Sequence, residues 1–428
     1  MADRARPRLL ILGGGAGGLE LAGALAAEGS YAVTLVDQSP AHLWKPRLHE
    51  FAAGTVDSML SEISFYTLAR LRGFRFEQGS VARIDRQGRR VQLRPILDLD
   101  GRERAPARTL SYDVCVVALG GITADFGTVG VAQHAIRLDG REDADAFRSL
   151  FTGLMIRARE RREPARVVIV GSGATGTELA AHLRLAETAF PGEDPANMAP
   201  RLHLTILEAA PQLMPGADDP LRHSVLERLR ALAVEVATGV RVTAVRADAV
   251  QAEDGRVWPA DLTVWAAGLI GNPVLRQLGD FELDGKGRIR IDARLRSTVD
   301  EAVYVMGDAA SLTPVGDDRP LAPTAQVASQ QAAYLARALP RRLKGHRVDP
   351  FVYRDRGQLI SLASAGTVGL LGLLDRRDLL VGGRFAIAAY HALQRRHQWA
   401  VLGPLRGSVA IFADAVGPTH GPALKLHG

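Results

Sequence analysis

Residues 13–25 (GGGAGGLELAGAL) and residues 171–183 (GSGATGTELAAHL) agree at eight of thirteen positions. Each segment follows a short apolar run, residues 9–12 and 167–170, and leads into an apolar stretch of helical period. A chain that twice passes from a buried strand through a glycine turn into a helix is confined to α/β architecture, with the turns at strand ends. Gly13, Gly15 and Gly18 fill the first, third and sixth places of one turn; Gly171, Gly173 and Gly176 fill them in the other. The first glycine permits a sharp turn, the third lets backbone approach a pyrophosphate, and the sixth lets helix pack on strand, while the helix N-terminus attracts phosphate. Two such turns imply two bound dinucleotides.

A carboxylate at the end of the next strand is the second requirement, because it accepts hydrogen bonds from ribose hydroxyls. Asp37 follows the strand-like residues 32–36, and Glu208 follows residues 202–207. The second interval is longer, and residues 184–201, with Pro191, Pro195 and Pro200, read as an extra helix and loop. Glu208 is followed by Ala209 and Ala210, which bring no positive charge. A carboxylate there favours a free 2′-hydroxyl and repels a 2′-phosphate, so NADH is expected over NADPH.

The repeat extends past the turns. Residues 112–120 (YDVCVVALG) and 260–268 (ADLTVWAAG) both read as an acid, a buried strand and a small-residue turn closed by Gly120 or Gly268. Residues 302–306 form a further strand before Gly307 and Asp308. Groups just past a parallel strand line the ligand crevice, so Asp308 is placed to bond a ribitol or ribose hydroxyl, and also to cap a short helix over residues 309–312. The expected organisation is residues 1–125 for the first part of one dinucleotide domain, 126–164 as a connection, and 165–272 for the second, inserted domain. Residues 273–345 then complete the first domain, and 346–428 form a C-terminal α+β region.

Composition narrows the chemistry. The chain has 428 residues, 47% of them hydrophobic, enough for two or three cores. Its single cysteine, Cys115, lies within an apolar strand, which excludes electron relay through a cysteine pair. The histidines show neither metal-ligand spacing nor a cysteine partner, so no metal is expected. The basic residues 1–8 lead straight into a strand without an apolar signal core, placing the protein in the cytoplasm, and no apolar run is long enough to span a bilayer. The net charge of +6 suits an anionic membrane face better than nucleic acid, for which no motif is present.

These residues together resemble the type II NADH:quinone oxidoreductases, single-subunit, non-proton-pumping flavoproteins of respiratory membranes. The resemblance rests on the first glycine turn, HLWKPRLHEFAAGT at 42–55, ALGGITADFG at 118–127, the second turn, WAAG at 265–268, MGDAA at 306–310, AQVASQ at 325–330, and His397 with Gln398. It implies that the first turn holds FAD through Gly13, Gly15, Gly18, Asp37, Lys45, Val81, Gly120 and Asp308, with Val81 offering backbone to the adenine. It implies NADH at the second turn, and a quinone beside Gln326 and Gln330 at the far end of the flavin. Glu178 would face nicotinamide and flavin and handle a proton. Its place in the first helical turn also suits an acid for the helix dipole, and Glu20 is its twin in the first repeat. Gln326 and Gln330, four apart, share one helix face. His49 and His397 read as structural.

A lipid-borne quinone requires a membrane-facing surface. Residues 351–428 combine a polar-apolar alternation near 351–362, a glycine-rich apolar stretch at 363–374 and the basic pair Arg376 and Arg377. A helix over residues 384–402 follows, with Phe385, Tyr390, Trp399, Arg395 and Arg396, and then a short apolar segment at 408–416. Aromatic residues beside arginines suit an interface with lipid, and also a homodimer contact. Two other functions keep both nucleotide turns: a soluble NADH-dependent reductase of a protein acceptor, and an NADH-responsive flavin-containing binding protein.

Overall fold

The computed structural model describes residues 6–56, 63–98, 100–190, 201–372 and 378–416. Two five-stranded sheets organise the chain, and every strand pair in them is parallel. In the first sheet the strand entering the glycine turn, Arg8–Leu12, is central. Ala32–Asp37 and then Arg75–Gln78 lie on one side, and Val114–Val117 and then Val303–Val305 on the other. The second sheet repeats the order around Ala165–Val170, with Leu202–Glu208 and Val234–Thr238 on one side and Leu262–Trp265 and Ala135–Arg137 on the other. Each also carries a three-stranded antiparallel sheet between its edge strand and its closing strand. The outermost strand of the first sheet comes from residues beyond the whole second sheet, so the second unit is inserted in the first.

The central strands are buried on both faces, as parallel strands covered by helices must be. Leu10, Ile11 and Leu12 are sealed in the core, and so are Val167 and Ile169. Each such side chain stabilises the fold by roughly 1.5–3 kcal/mol through burial. The first-turn helix, Ala16–Glu28, buries Leu19, Leu21, Ala22 and Leu25 and ends at Gly29, whose left-handed backbone stops it. The ribbon pairing Gly121–Thr123 with Leu269–Gly271 joins the exits of the two sheets.

Two sequence expectations are corrected. The second-turn helix runs unbroken over Ala174–Glu187, so residues 184–187 extend it and make no separate helix; residues 191–200 of that insertion lie outside the described residues. Residues 309–312 form no helix: a single tight turn, Gly307–Ala309, passes into the short strand Ala310–Ser311, because Ser311 pairs with Arg290. The apolar segment near 408–416 belongs to a helix, Pro404–Val416, that folds back against the preceding helix, Gly383–Leu402. Before these helices, Gln358–Ser361, Thr367–Gly372 and Asp378–Gly382 form an antiparallel sheet. Arg376 and Arg377 lie outside the described residues.

Candidate functional site at the junction of the two units

The two glycine turns are built alike. Gly13 and Gly171 both sit at φ +107°, where their missing side chains let the turn cross the closing strand at Ala118 and Ala266. A Cβ on Gly13 would lie 2.2 Å from the Ala118 carbonyl oxygen, and on Gly171 2.7 Å from that of Ala266. Gly15 and Gly173 differ in kind: they have ordinary extended backbone, and a Cβ on either meets nothing within 4 Å. This open space before a helix N-terminus fits a pyrophosphate in both turns. Gly18 and Gly176 close onto the carbonyls of Gly13 and Gly171, bringing helix against strand.

Both acids bond to the second residue of their turn. Asp37 accepts the Gly14 N–H at 2.6 Å and that of Ser39 at 2.8 Å. Glu208, buried, accepts from the N–H and hydroxyl of Ser172 at 2.9 and 2.6 Å and from the Ala210 N–H at 2.8 Å. Asp37 keeps a lone pair on each oxygen for a further donor, and Glu208 keeps one on the oxygen that accepts from Ala210. Burial raises the pKa of Asp37, and Lys45 opposes that rise. Asp308 behaves likewise, raised by burial and opposed by Lys45 and Arg288. Exposed Lys45 therefore acts on both acids of the first unit at once. The Val81 side chain is buried in the first unit's core, and its strand pairs with the one that holds Leu93. Gly120 and Gly268, at φ +69° and +72°, turn the chain out of the two closing strands.

Glu178 lies where the units meet, 7% exposed on the second-turn helix. One oxygen accepts the Ser361 N–H at 2.9 Å and the other lies 3.5 Å from His49 Nδ1. Burial pushes its pKa up to about 8, helped by nearby Glu50 and opposed by the Ser361 bond. Burial also drives His49 down to about 3. Burial thus disfavours the charged form of both partners in this contact. His49 and Glu50 come from a short helix of the first unit, Leu48–Ala53, and His182 from the second-turn helix meets them. Glu50 is held by Arg47 at 2.7 Å and by the Tyr390 hydroxyl at 2.9 Å.

Glu20, the twin of Glu178, also reaches across elements. It accepts the Ser329 hydroxyl at 2.8 Å and lies 3.0 Å from His397 Nδ1. His397 stacks on Trp44, and its Nε2 is 3.0 Å from His42 Nε2. His42 Nδ1 bonds the Gly14 carbonyl at 2.9 Å. A carbonyl only accepts, so neutral His42 carries its proton on Nδ1 and its Nε2 accepts from His397. This chain of bonds fastens the helix Gly383–Leu402 to the first turn, which gives His397 a structural part.

Gln326 and Gln330 lie on one face of the helix Ala325–Leu343, and both clamp the backbone of an extended segment. Gln326 accepts the Arg356 N–H at 2.9 Å and donates to the Gly357 carbonyl at 3.3 Å. Gln330 donates to the Arg354 carbonyl at 2.8 Å and accepts its N–H at 3.1 Å. Neighbouring Gln331, not singled out from the sequence, is buried and accepts the Gly307 N–H at 2.7 Å beside Asp308. Tyr390 is corrected as an interfacial aromatic: it is half-buried, with its hydroxyl on Glu50.

Two coupled parallel sheets with matching glycine turns define a pyridine-nucleotide oxidoreductase, and the profile of the pyridine nucleotide-disulphide oxidoreductase family matches residues 7–332. The type II NADH:quinone oxidoreductase of Haemophilus influenzae is 32% identical over 442 aligned positions, 98% of this chain and 99% of that protein. The protein of the same name from Staphylococcus aureus is 27% identical, covering 86% of this chain and 90% of its own. The chain belongs to the type II NADH:quinone oxidoreductase family. In fold it matches the NADH-bound NDH2 of Plasmodium falciparum, with a TM-score of 0.80 at 17% identity, covering 98% of this chain and all of that one. The sulfide:quinone oxidoreductase of Aquifex aeolicus shares the fold at a TM-score of 0.74 and 17% identity, over 96% and 95% of the two chains. The single cysteine of this chain, Cys115, is buried, and burial pushes its thiol well above the usual range.

Proposed function

We propose that this protein oxidises NADH and reduces a membrane quinone, with FAD as the bound redox group. The observation that carries this reading is the pair of glycine turns, each with open space at its third position, Gly15 and Gly173, together with the buried carboxyl of Glu178 where the units meet, whose pKa burial raises. Bound FAD supplies acceptance of a hydride and release of two electrons. Its pyrophosphate would lie at Gly15, in the turn that Gly13 and Gly18 shape, with Asp37 and Asp308 accepting from its hydroxyls, Lys45 balancing their charge, and Val81 and Gly120 offering backbone. Gly171, Gly173, Gly176 and Gly268 shape the NADH crevice, and Glu208 accepts from its ribose. Glu178 holds a proton where nicotinamide and quinone chemistry needs one. Gln326 and Gln330 line the quinone side by fixing residues 354–357.

The membrane surface in this reading is the pair of C-terminal helices. Phe385, Leu393, Trp399, Leu405, Val409 and Phe412 are exposed there, with exposed Arg395, Arg396 and Arg406 beside them. Among the described residues no helix is long and apolar enough to cross a membrane. Apolar side chains ringed by arginines suit attachment to an anionic leaflet, here assigned to the cytoplasmic face. The same surface would serve a homodimer, which sedimentation without lipid would reveal. In this reading residues 1–125 and 273–345 form the flavin domain, 126–164 the connection, 165–272 the NADH domain and 346–428 the membrane-facing region. Anaerobic stopped-flow absorbance tests the activity: NADH should bleach the flavin and a water-soluble quinone should restore its colour. Bleaching without recovery would assign another acceptor, and no bleaching would overturn the enzymatic reading.

A further inference from the structure

The junction holds a group of side chains that the proposed electron path does not use. His49 Nε2 and His182 Nε2 are buried and have no hydrogen-bond partner among the described residues. An unpaired buried ring nitrogen is costly and calls for an explanation. The other nitrogens are engaged: His182 Nδ1 pairs with the Thr55 hydroxyl at 2.9 Å, and His49 Nδ1 faces Glu178 at 3.5 Å. One ligand atom from each of His49, Glu50 and His182 lies within 4.8 Å of the others. The rings are 5.0 Å apart at their centroids.

We infer that His49, Glu50 and His182 form a binding site for a divalent transition-metal ion of the zinc class. Two imidazoles and one carboxylate suit such an ion and not calcium or magnesium, which require more oxygen ligands. Ligating histidines usually engage their second nitrogen with a carboxylate or another polar group, as Glu178 and Thr55 do here. Tetrahedral coordination at about 2.0–2.1 Å needs the ligands roughly 3.4 Å apart, so the group, now within 4.8 Å, would contract by up to about 1.4 Å on binding. Glu50 keeps a lone pair on the oxygen that accepts from Tyr390. Arg47 on the other oxygen opposes the added positive charge, which makes the ion exchangeable and not permanently held. Because His49 and Glu50 belong to the first unit and His182 to the second, the ion would tie the two units together. This inference does not depend on the quinone assignment.

Equilibrium dialysis of the full-length, flavin-loaded, chelator-treated protein against zinc tests it, with elemental analysis and thermal melting as readouts. One zinc per chain and a melting temperature that rises with zinc concentration are expected. Both should disappear in His182→Ala and weaken in His49→Gln. Thr55→Val removes only the hydroxyl behind His182 and should weaken binding roughly tenfold, which keeps the test valid if the histidine variants fail to fold. No bound zinc at concentrations of roughly 100 µM, far above a useful affinity on the scale of binding free energies, would overturn the site. Stoichiometric binding unchanged in the three variants would overturn it equally.

Discussion

At the residue scale, Glu178 has the clearest measurable consequence. Its pKa stands at about 8 in the fold against 4.5 for the free side chain. Between those values the unfolded chain releases a proton that the folded chain keeps, so stability falls as pH rises through the window and levels off above it. Glu178→Gln should remove that slope, and its melting-temperature advantage over the parent should widen across the window; a constant difference would sink the assignment. Glu208 makes a second case. Replacing it with Gln weakens a charged acceptor for Ser172 and for the ribose, so the preference for NADH over NADPH, as the ratio of kcat/KM values, should fall roughly tenfold, one charge-assisted hydrogen bond's worth. Unchanged discrimination would remove its role. Asp37 and Glu208 were legible in the sequence because strand and turn fix their place. Glu20, His42 and His182 were not, because their partners lie on other elements and no spacing along the chain encodes such meetings.

At the element scale, the two turns separate fold from cofactor. An alanine at Gly13 combines left-handed backbone, costing roughly 1–3 kcal/mol, with overlap on Ala118, so Gly13→Ala should lower the melting temperature or prevent folding. Gly15→Ala puts a methyl into open space at ordinary backbone angles and should leave the apoprotein's stability nearly unchanged while the purified protein loses most of its flavin absorbance. Equal flavin content in Gly15→Ala and the parent would mean that the pyrophosphate does not approach there. The strand-turn-helix units could be read because a buried strand, a glycine turn and a helix each leave a local pattern. The short strand after Gly307 could not, since Ala310–Ser311 is held by Arg290 on a distant segment. The glutamine pair was placed correctly on one helix face, but its bonds to residues 354–357 depend on an irregular segment docked beside the helix, which local pattern does not show.

At the scale of the whole molecule, one C-terminal segment both reaches the junction and carries an exposed apolar surface. Gln358–Ser361 delivers the Ser361 N–H to Glu178, and the helix Gly383–Leu402 delivers Tyr390 to Glu50 and His397 to Glu20. The opposite surface leaves Leu405 and Phe412 at 85% and 70% exposed, far more than folding alone requires. Binding to lipid would bury them for roughly 1.5–3 kcal/mol each. Leu405→Asp with Phe412→Asp should therefore cut cosedimentation with anionic vesicles by at least about a hundredfold in partition coefficient while NADH oxidation with a water-soluble quinone stays near the parent rate. Added salt should weaken the parent's binding in part, because the arginines contribute attraction that ions screen and the apolar side chains do not. Binding that survives the double substitution would move the attachment surface elsewhere, and a parallel loss of soluble activity would mean that these helices support the site and not the membrane.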